Sequence, residues 1–335
     1  MDDVTKITLE AIRDRAATLA DAIHRTPVLP MQSPLIERLL GNASVFLKLE
    51  CFQHTGTFKA RGALSNARAI PQDRRAAGIT AASAGNHAIA AGWAARASGL
   101  SAKVVMQDNA NPFRLTQARA TGAEVILKAP GAATFDEAAR LATEEGRTFL
   151  HPFDGIDTVL GTAGVGLELM EDVADLEAVV VSVGGGGLIS GVAAAVKRIN
   201  PDCRVYGVEP EGADSMSRSL AAGAPVTLER TDTIADSLAP PMALALGHAC
   251  CAAFVDEIVT VSDDAICAGL TVFQQDAKLA VEPAAGAAMA GTLGPLRARL
   301  WDKRIGIIVC GANIDAQTYA TQIARGHANL ERLTS

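Results

Sequence analysis

The run from Val179 to Gly191 constrains the fold more than any other stretch of this chain. Val179-Val180-Val181-Ser182-Val183 leads into Gly184-Gly185-Gly186-Gly187, and Leu188-Ile189-Ser190-Gly191 then opens a helical pattern. A short β-branched apolar run of this kind reads as a buried strand. Four successive glycines lose much entropy on ordering, and no tight turn needs four. A strand-to-helix loop without side chains suits an anion, which its N–H groups can approach at the helix N-terminus. No Gly-Lys-Ser/Thr follows, and no GxGxxG with a later acidic residue is present, so ATP and NAD fit badly. A plain flexible loop is the simpler alternative.

The same alternation runs through the whole chain. Strand candidates are 45–49, 103–106, 124–127, 178–182, 204–208, 257–261 and 306–309. Between them lie Ala-rich amphipathic helices at 61–69, 87–97, 112–120, 135–145, 188–199 and 263–276. Strands alternating with helices predict an α/β chain of two open, twisted, mostly parallel sheets flanked by helices. Turn residues at both edges of 66–150, with Pro152 and Gly155 beyond, predict a small lobe inserted into a larger one. The boundaries expected are 1–65 and 151–335 for the large cofactor-binding domain and 66–150 for the small one.

Composition narrows the partners. With 335 residues, 49% hydrophobic and 20% charged, the chain is globular and long enough for a large core. A net charge of −7, no basic block and 4% aromatics argue against nucleic acid and anionic membranes. The acidic start Met1-Asp2-Asp3 does not read as a secretory signal, and apolar runs fall short of a membrane helix. Six scattered cysteines without CxxC spacing suit reduced thiols and a cytoplasmic location.

Three further clusters can carry chemistry. In His54-Thr55-Gly56-Thr57-Phe58-Lys59-Ala60-Arg61, Thr55 or Thr57 can cap a helix whose first turn holds Lys59. The partial positive charge there would depress the lysine pKa, as a Schiff-base lysine requires; an ordinary surface lysine is the alternative. Ala82-Ser83-Ala84-Gly85-Asn86-His87 follows a strand-like run and precedes a helix, where small residues expose backbone amides; a common capped turn looks the same. Ile307-Ile308-Val309-Cys310-Gly311-Ala312-Asn313 is again strand followed by small residues.

Read in order, the four clusters resemble the fold-type II pyridoxal phosphate enzymes, in particular the threonine dehydratase and serine racemase group. The likeness starts at His24-Arg25-Thr26-Pro27 and Leu47-Lys48-Leu49-Glu50 and spans nearly the whole chain. It implies a tryptophan synthase β-like fold and pyridoxal 5'-phosphate on Lys59 as a Schiff base. Phe58 would lie beside the ring, Asn86 would bind the ring hydroxyl, and Gly184, Gly185, Gly186, Gly187 and Leu188 would hold the phosphate. Ser83, Gly85, Asn86 and His87 would receive the substrate carboxylate. Cys310 would stand beside the pyridine nitrogen, where relatives usually place Ser or Thr.

The resemblance also implies a reaction. A neutral partner such as Cys310 cannot keep the pyridine nitrogen protonated, which favours prompt loss of a β-substituent. Ala84 stands where serine racemases carry a second serine, so a one-base site that eliminates is expected. The substrate amine displaces Lys59, which removes the α-proton; water leaves, with the cofactor phosphate as donor; the enamine then hydrolyses to a 2-oxo acid and ammonia. L-Threonine and L-serine are the expected small amino-acid substrates. The rivals are a 3-hydroxyaspartate dehydratase, a serine or aspartate racemase, or a non-catalytic sensor of a phosphorylated metabolite.

By resemblance, Glu209, Ala213 and Ser215 would form a mono- or divalent cation site, short of a third ligand unless Asp214 substitutes. Ile89 and Thr162-Ala163 depart from the Gln and Gln-Gly of some relatives. Glu282-Pro283-Ala284-Ala285-Gly286 recurs near the ring and gives Glu282 a supporting role. His151, His248 and His327 lie outside the clusters. The group forms homodimers or homotetramers. Because little follows Asn313, no isoleucine-binding regulatory domain and a catabolic role are expected.

Overall fold

The computed structural model describes residues 2–83 and 85–334. Ten strands are present among them: β1 (Val28–Met31), β2 (Ser44–Lys48), β3 (Ile79–Ala82), β4 (Ala102–Gln107), β5 (Glu124–Lys128), β6 (Thr148–Phe149), β7 (Ala178–Ser182), β8 (Arg204–Pro210), β9 (Glu257–Val261) and β10 (Arg304–Ile308). Six form one sheet in the order β1-β2-β10-β7-β8-β9, and four form a second in the order β5-β4-β3-β6. All pairings are parallel except that of β1 with β2. The expected architecture of two mostly parallel sheets flanked by helices is therefore observed.

Strand β7 lies inside the larger sheet with all five residues buried, as its β-branched run predicts. Helix Pro283–Leu293 packs on β7, β8 and β9 and is buried along its whole length. Its Ala and Gly content permits this: a Cβ on Gly269 would come within 2.2 Å of the Gly286 carbonyl oxygen. Three strands differ from expectation. β1 carries Pro30 and tolerates it because it is an edge strand. β3 ends in two alanines, which signal a strand weakly, and β6 is only two residues long.

A buried ionic cluster fixes the helix Lys59–Ala69 against β2. The Arg61 guanidinium donates to both Glu50 oxygens (2.8 and 2.9 Å) and both Glu168 oxygens (2.7 and 2.8 Å). Lys48 donates to Glu168 at 2.6 Å and to the Thr26 carbonyl at 2.7 Å, and the Thr26 hydroxyl donates to Glu50. This is what the Thr26, Lys48 and Glu50 positions do: their charges meet partners instead of water.

Candidate active site

The carboxyl ends of three parallel strands carry three of the clusters, as open α/β sheets lead one to expect. β3 runs into Ser83–His87, β7 into the four glycines and β10 into Cys310. The Lys59 cluster joins them through an isolated bridge from Thr57 to Gly311 and a bond from the Phe58 N–H to the Cys310 carbonyl at 3.1 Å.

Lys59 opens its helix, and the Thr57 hydroxyl accepts its backbone N–H at 3.2 Å, so Thr57 takes the capping part rather than Thr55. The ammonium donates to the Pro152 carbonyl at 2.5 Å and lies 5.1 Å from the centre of the Phe58 ring. Burial lowers its pKa from 10.5 to about 8, against the opposing pull of Cys310 and Glu282. Desolvation is thus the main cause, where the sequence suggested the helix terminus.

None of the four glycines has space for a side chain. A Cβ on Gly184 would meet the Leu238 backbone at 3.0 Å, and one on Gly185 would enter the Phe153 ring at 2.3 Å. Gly186 has φ +89°, and a Cβ on Gly187 would lie 2.6 Å from the Phe153 carbonyl oxygen. The loop opens the 13-residue helix Gly187–Ile199, so a recess lined by backbone faces Lys59, Asn86, Leu188 and Cys310. Such a cradle, with a lysine and a neutral thiol around it, fits a phosphorylated pyridine aldehyde. Cys310 is buried, and burial together with the nearby Glu282 holds its pKa well above the ordinary value, so it remains a thiol.

Asn86 donates to both oxygens of Glu282 (2.8 and 3.0 Å) and accepts from the Asn313 amide at 2.8 Å. Glu282 also accepts the Asn313 backbone N–H at 3.1 Å, and burial raises its pKa. Its supporting position is therefore direct contact with Asn86. The Gly85 N–H donates to the Ser83 hydroxyl at 3.1 Å. His87 is buried, bonds the Leu150 carbonyl through Nε2 at 2.8 Å and is neutral, its pKa lowered to about 3 chiefly by burial. Its imidazole is committed there, which leaves its backbone N–H for an anion. Ala84 lies outside the described residues.

Several residues here escaped the sequence reading. His151 lines the same cavity as Lys59, its Nδ1 accepts the N–H groups of Phe153 and Asp154, and burial lowers its pKa to about 4. Arg114 reaches from the helix Pro112–Ala120 to the Asp236 carboxylate and the Asn313 carbonyl (3.2 Å). Phe153 and Ser237 complete the wall. Asn313 stood in a quoted cluster without a role; Arg114 gave no local signal because its partners are distant in sequence, and His151, bonded to its own loop, stood outside every cluster.

Glu209 lies elsewhere, at the end of β8. It is buried and accepts the N–H groups of Met216 and Ser217 at 2.8 Å each and the Ser217 hydroxyl at 2.6 Å. Burial raises its pKa to about 7. Ala213 and Ser215 flank this helix start, while the Asp214 carboxylate is paired with Arg218 at 2.8 Å. No group of three His, Cys, Asp or Glu side chains with metal-binding geometry occurs among the described residues. The six cysteines are free and buried, and no helix among the described residues is long and apolar enough to cross a membrane.

Residues 19–311 match the family described as pyridoxal-phosphate dependent enzyme, and the chain belongs to that family. Its fold is the tryptophan synthase β-like fold of these proteins, whose cofactor is pyridoxal 5'-phosphate. The chain is 46% identical to phenylserine dehydratase of Ralstonia pickettii, over 97% of this chain and 99% of that protein. It is 37% identical to L-threonine ammonia-lyase of Thermotoga maritima, over 96% and 79%. Among solved structures, maize serine racemase superposes with a TM-score of 0.89 at 34% identity, over 97% and 99% of the two chains. The chain is a pyridoxal phosphate enzyme of the dehydratase and ammonia-lyase type.

Proposed function

We propose that this enzyme removes water from a β-hydroxy amino acid and releases a 2-oxo acid and ammonia. The observation that carries the reading is Lys59: half-buried, with its pKa lowered to about 8 by desolvation, and placed where the glycine cradle meets a larger cavity. L-Threonine and L-serine are the substrates expected from sequence. The likeness to phenylserine dehydratase adds 3-phenylserine to them.

When bound, pyridoxal phosphate supplies the electron sink that acidifies the substrate α-carbon. In our reading Lys59 anchors the cofactor and, once freed by the incoming amine, takes the α-proton on Nζ. Its lowered pKa keeps a useful share unprotonated near neutral pH. Gly184, Gly185, Gly186, Gly187 and Leu188 bind the phosphate through backbone N–H groups. Phe58 borders the ring and Asn86 holds its hydroxyl, with Glu282 and Asn313 fixing the Asn86 amide. Cys310, as a thiol, would offer the pyridine nitrogen a neutral partner and no carboxylate to hold a proton there. Ser83, Gly85, Asn86 and His87 receive the substrate carboxylate at the start of the helix Asn86–Ala97, His87 through its backbone.

Lys59→Ala is expected to abolish both the visible absorbance of the bound cofactor and 2-oxo acid production from threonine, serine, 3-phenylserine and 3-hydroxyaspartate. Full activity in that variant contradicts the assignment. Chiral analysis of residual serine separates elimination from racemisation. We also propose a cation at Glu209, Ala213 and Ser215; a rise in melting temperature with KCl or MgCl2 that Glu209→Gln removes is the test. The proposed homodimer or homotetramer is read by light scattering, and a monomer at assay concentration refutes it.

A further inference from the structure

The cavity beside Lys59 is about 660 Å³ and differs in chemistry from one side to the other. Its floor is polar, made of Lys59, Ser83, Asn86 and His87. The opposite wall is apolar and comes from two separate parts of the fold. Phe135 stands in the first turn of the helix Ala132–Glu144, beside the smaller sheet, and Pro240, Pro241, Met242 and Leu244 form a loop leading into the helix Ala245–Phe254.

Two observations specify what this wall meets. The first is Phe135, which is 46% exposed although it lines a cavity, with Phe149 as an edge-on ring neighbour at 6.4 Å. A large apolar side chain left bare on a cavity wall is the mark of a binding surface. The second is charge. Among the described residues lining the cavity, the ionisable groups are Lys59, His87, Arg114, His151 and Asp236. Arg114 is paired with Asp236, and Lys59 belongs to the reaction. His87 and His151 are neutral, each with one ring nitrogen committed to the backbone. A β-carboxylate, as in 3-hydroxyaspartate, would find no uncommitted cation there. The hydrogen of serine or the methyl of threonine would leave Phe135 bare.

From this geometry we infer that Phe135, Met242, Leu244 and the Pro240-Pro241 pair form the subsite for the β-substituent, and that it takes a flat apolar group such as a phenyl ring. The inference rests on the dehydratase reading and names the residues that select its substrate. The two prolines stiffen one side, and the exposed Phe135 ring offers its face or edge to an aromatic group.

The test uses the holoenzyme, Phe135→Ala and Phe135→Tyr. Phe135 is half exposed, so its truncation is expected to leave folding intact. In Phe135→Ala, kcat/KM for 3-phenylserine is expected to fall about 10-fold or more. That for L-threonine should stay within about twofold, while Phe135→Tyr keeps the phenylserine rate. A second readout needs no turnover. L-Phenylalanine has the ring but no β-hydroxyl, and its spectral titration against L-alanine reports binding alone. Phe135→Ala should weaken phenylalanine about 10-fold and leave alanine unchanged. Equal losses for threonine and phenylserine, or an unchanged phenylalanine-to-alanine ratio, overturn the subsite. If no substrate yields a 2-oxo acid even in the unmodified enzyme, the dehydratase reading fails, and the binding ratio still decides the subsite.

Discussion

Below about pH 8 the Lys59 side chain carries its charge in surroundings that disfavour it. In the unfolded chain the same group keeps its ordinary value of 10.5, so between these two values the unfolded state binds more protons. Stability of the cofactor-free protein therefore rises with pH across that window. Lys59→Met removes the penalty and is expected to stabilise the cofactor-free protein by ~3 kcal/mol at neutral pH. The gain should shrink toward zero as the medium passes pH 10.5. Urea unfolding at several pH values measures it, and a gain that does not vary with pH contradicts it. Lys59 was legible in the sequence because its motif is local. The cause of its shift, desolvation, was not, because residues that enclose it, such as Phe153 and Cys310, come from distant parts of the chain.

At the scale of elements, the helix that carries Lys59 is held by charges that have lost their water. Arg61, Glu50 and Lys48 are all buried, and Glu168 closes the cluster from the helix Ile156–Asp172. Removing Arg61 leaves the buried Glu50 with only the Thr26 hydroxyl as a side-chain partner, while Glu168 keeps Lys48. Arg61→Met is expected to cost roughly 3–5 kcal/mol in urea unfolding. Exposed pairs such as Arg140–Glu144 are expected to contribute less than about 1 kcal/mol when broken. A small loss at Arg61 contradicts the picture of a dry cluster. β7, β9 and the helix Pro112–Ala120 were read to the residue, and others with β-branched or amphipathic patterns, such as β2 and β10, to within a few residues. Of those that depend on tertiary support, β1 with its proline and the two residues of β6 were missed, while β3, ending in alanines, showed only as a strand-like run before Ser83. The long helix beginning at Ile156 was missed too, since burial along nearly its whole length hides its period.

For the molecule as a whole, Arg114 is one of the side chains, with Asn86 and Asn111, that couple the smaller sheet's helices to the larger sheet's loops. It comes from the helix Pro112–Ala120, binds Asp236 and the Asn313 carbonyl, and closes one side of the cavity. Asp236→Asn keeps an acceptor while removing the negative charge. Because Arg114 is buried and loses a charged partner, the change is expected to cost about 1–3 kcal/mol. Arg114 would then face the cavity without its paired carboxylate, with only the more distant Glu282 and Asp315 charges to offset it. The ratio of kcat/KM for 3-hydroxyaspartate over 3-phenylserine should rise about 10-fold. An unchanged ratio means that Arg114 does not face the β-substituent. No periodicity in the chain could have announced this contact, because Arg114 and Asp236 lie 122 residues apart.

The helix Pro283–Leu293 has no exposed residue, and its neighbours approach to the limit that glycine and alanine allow. A Cβ on Gly286 would lie 2.7 Å from the Ile266 carbonyl oxygen, and one on Gly291 would lie 2.4 Å from the Val208 side chain. Around the cavity's outer wall the opposite holds: Phe135 and Pro241 border solvent. The molecule thus divides into a part where variation is lethal to folding and a part where it is nearly free. A lineage built on this scaffold can change what it digests quickly, by drift at the rim, while the chemistry at its floor stays fixed.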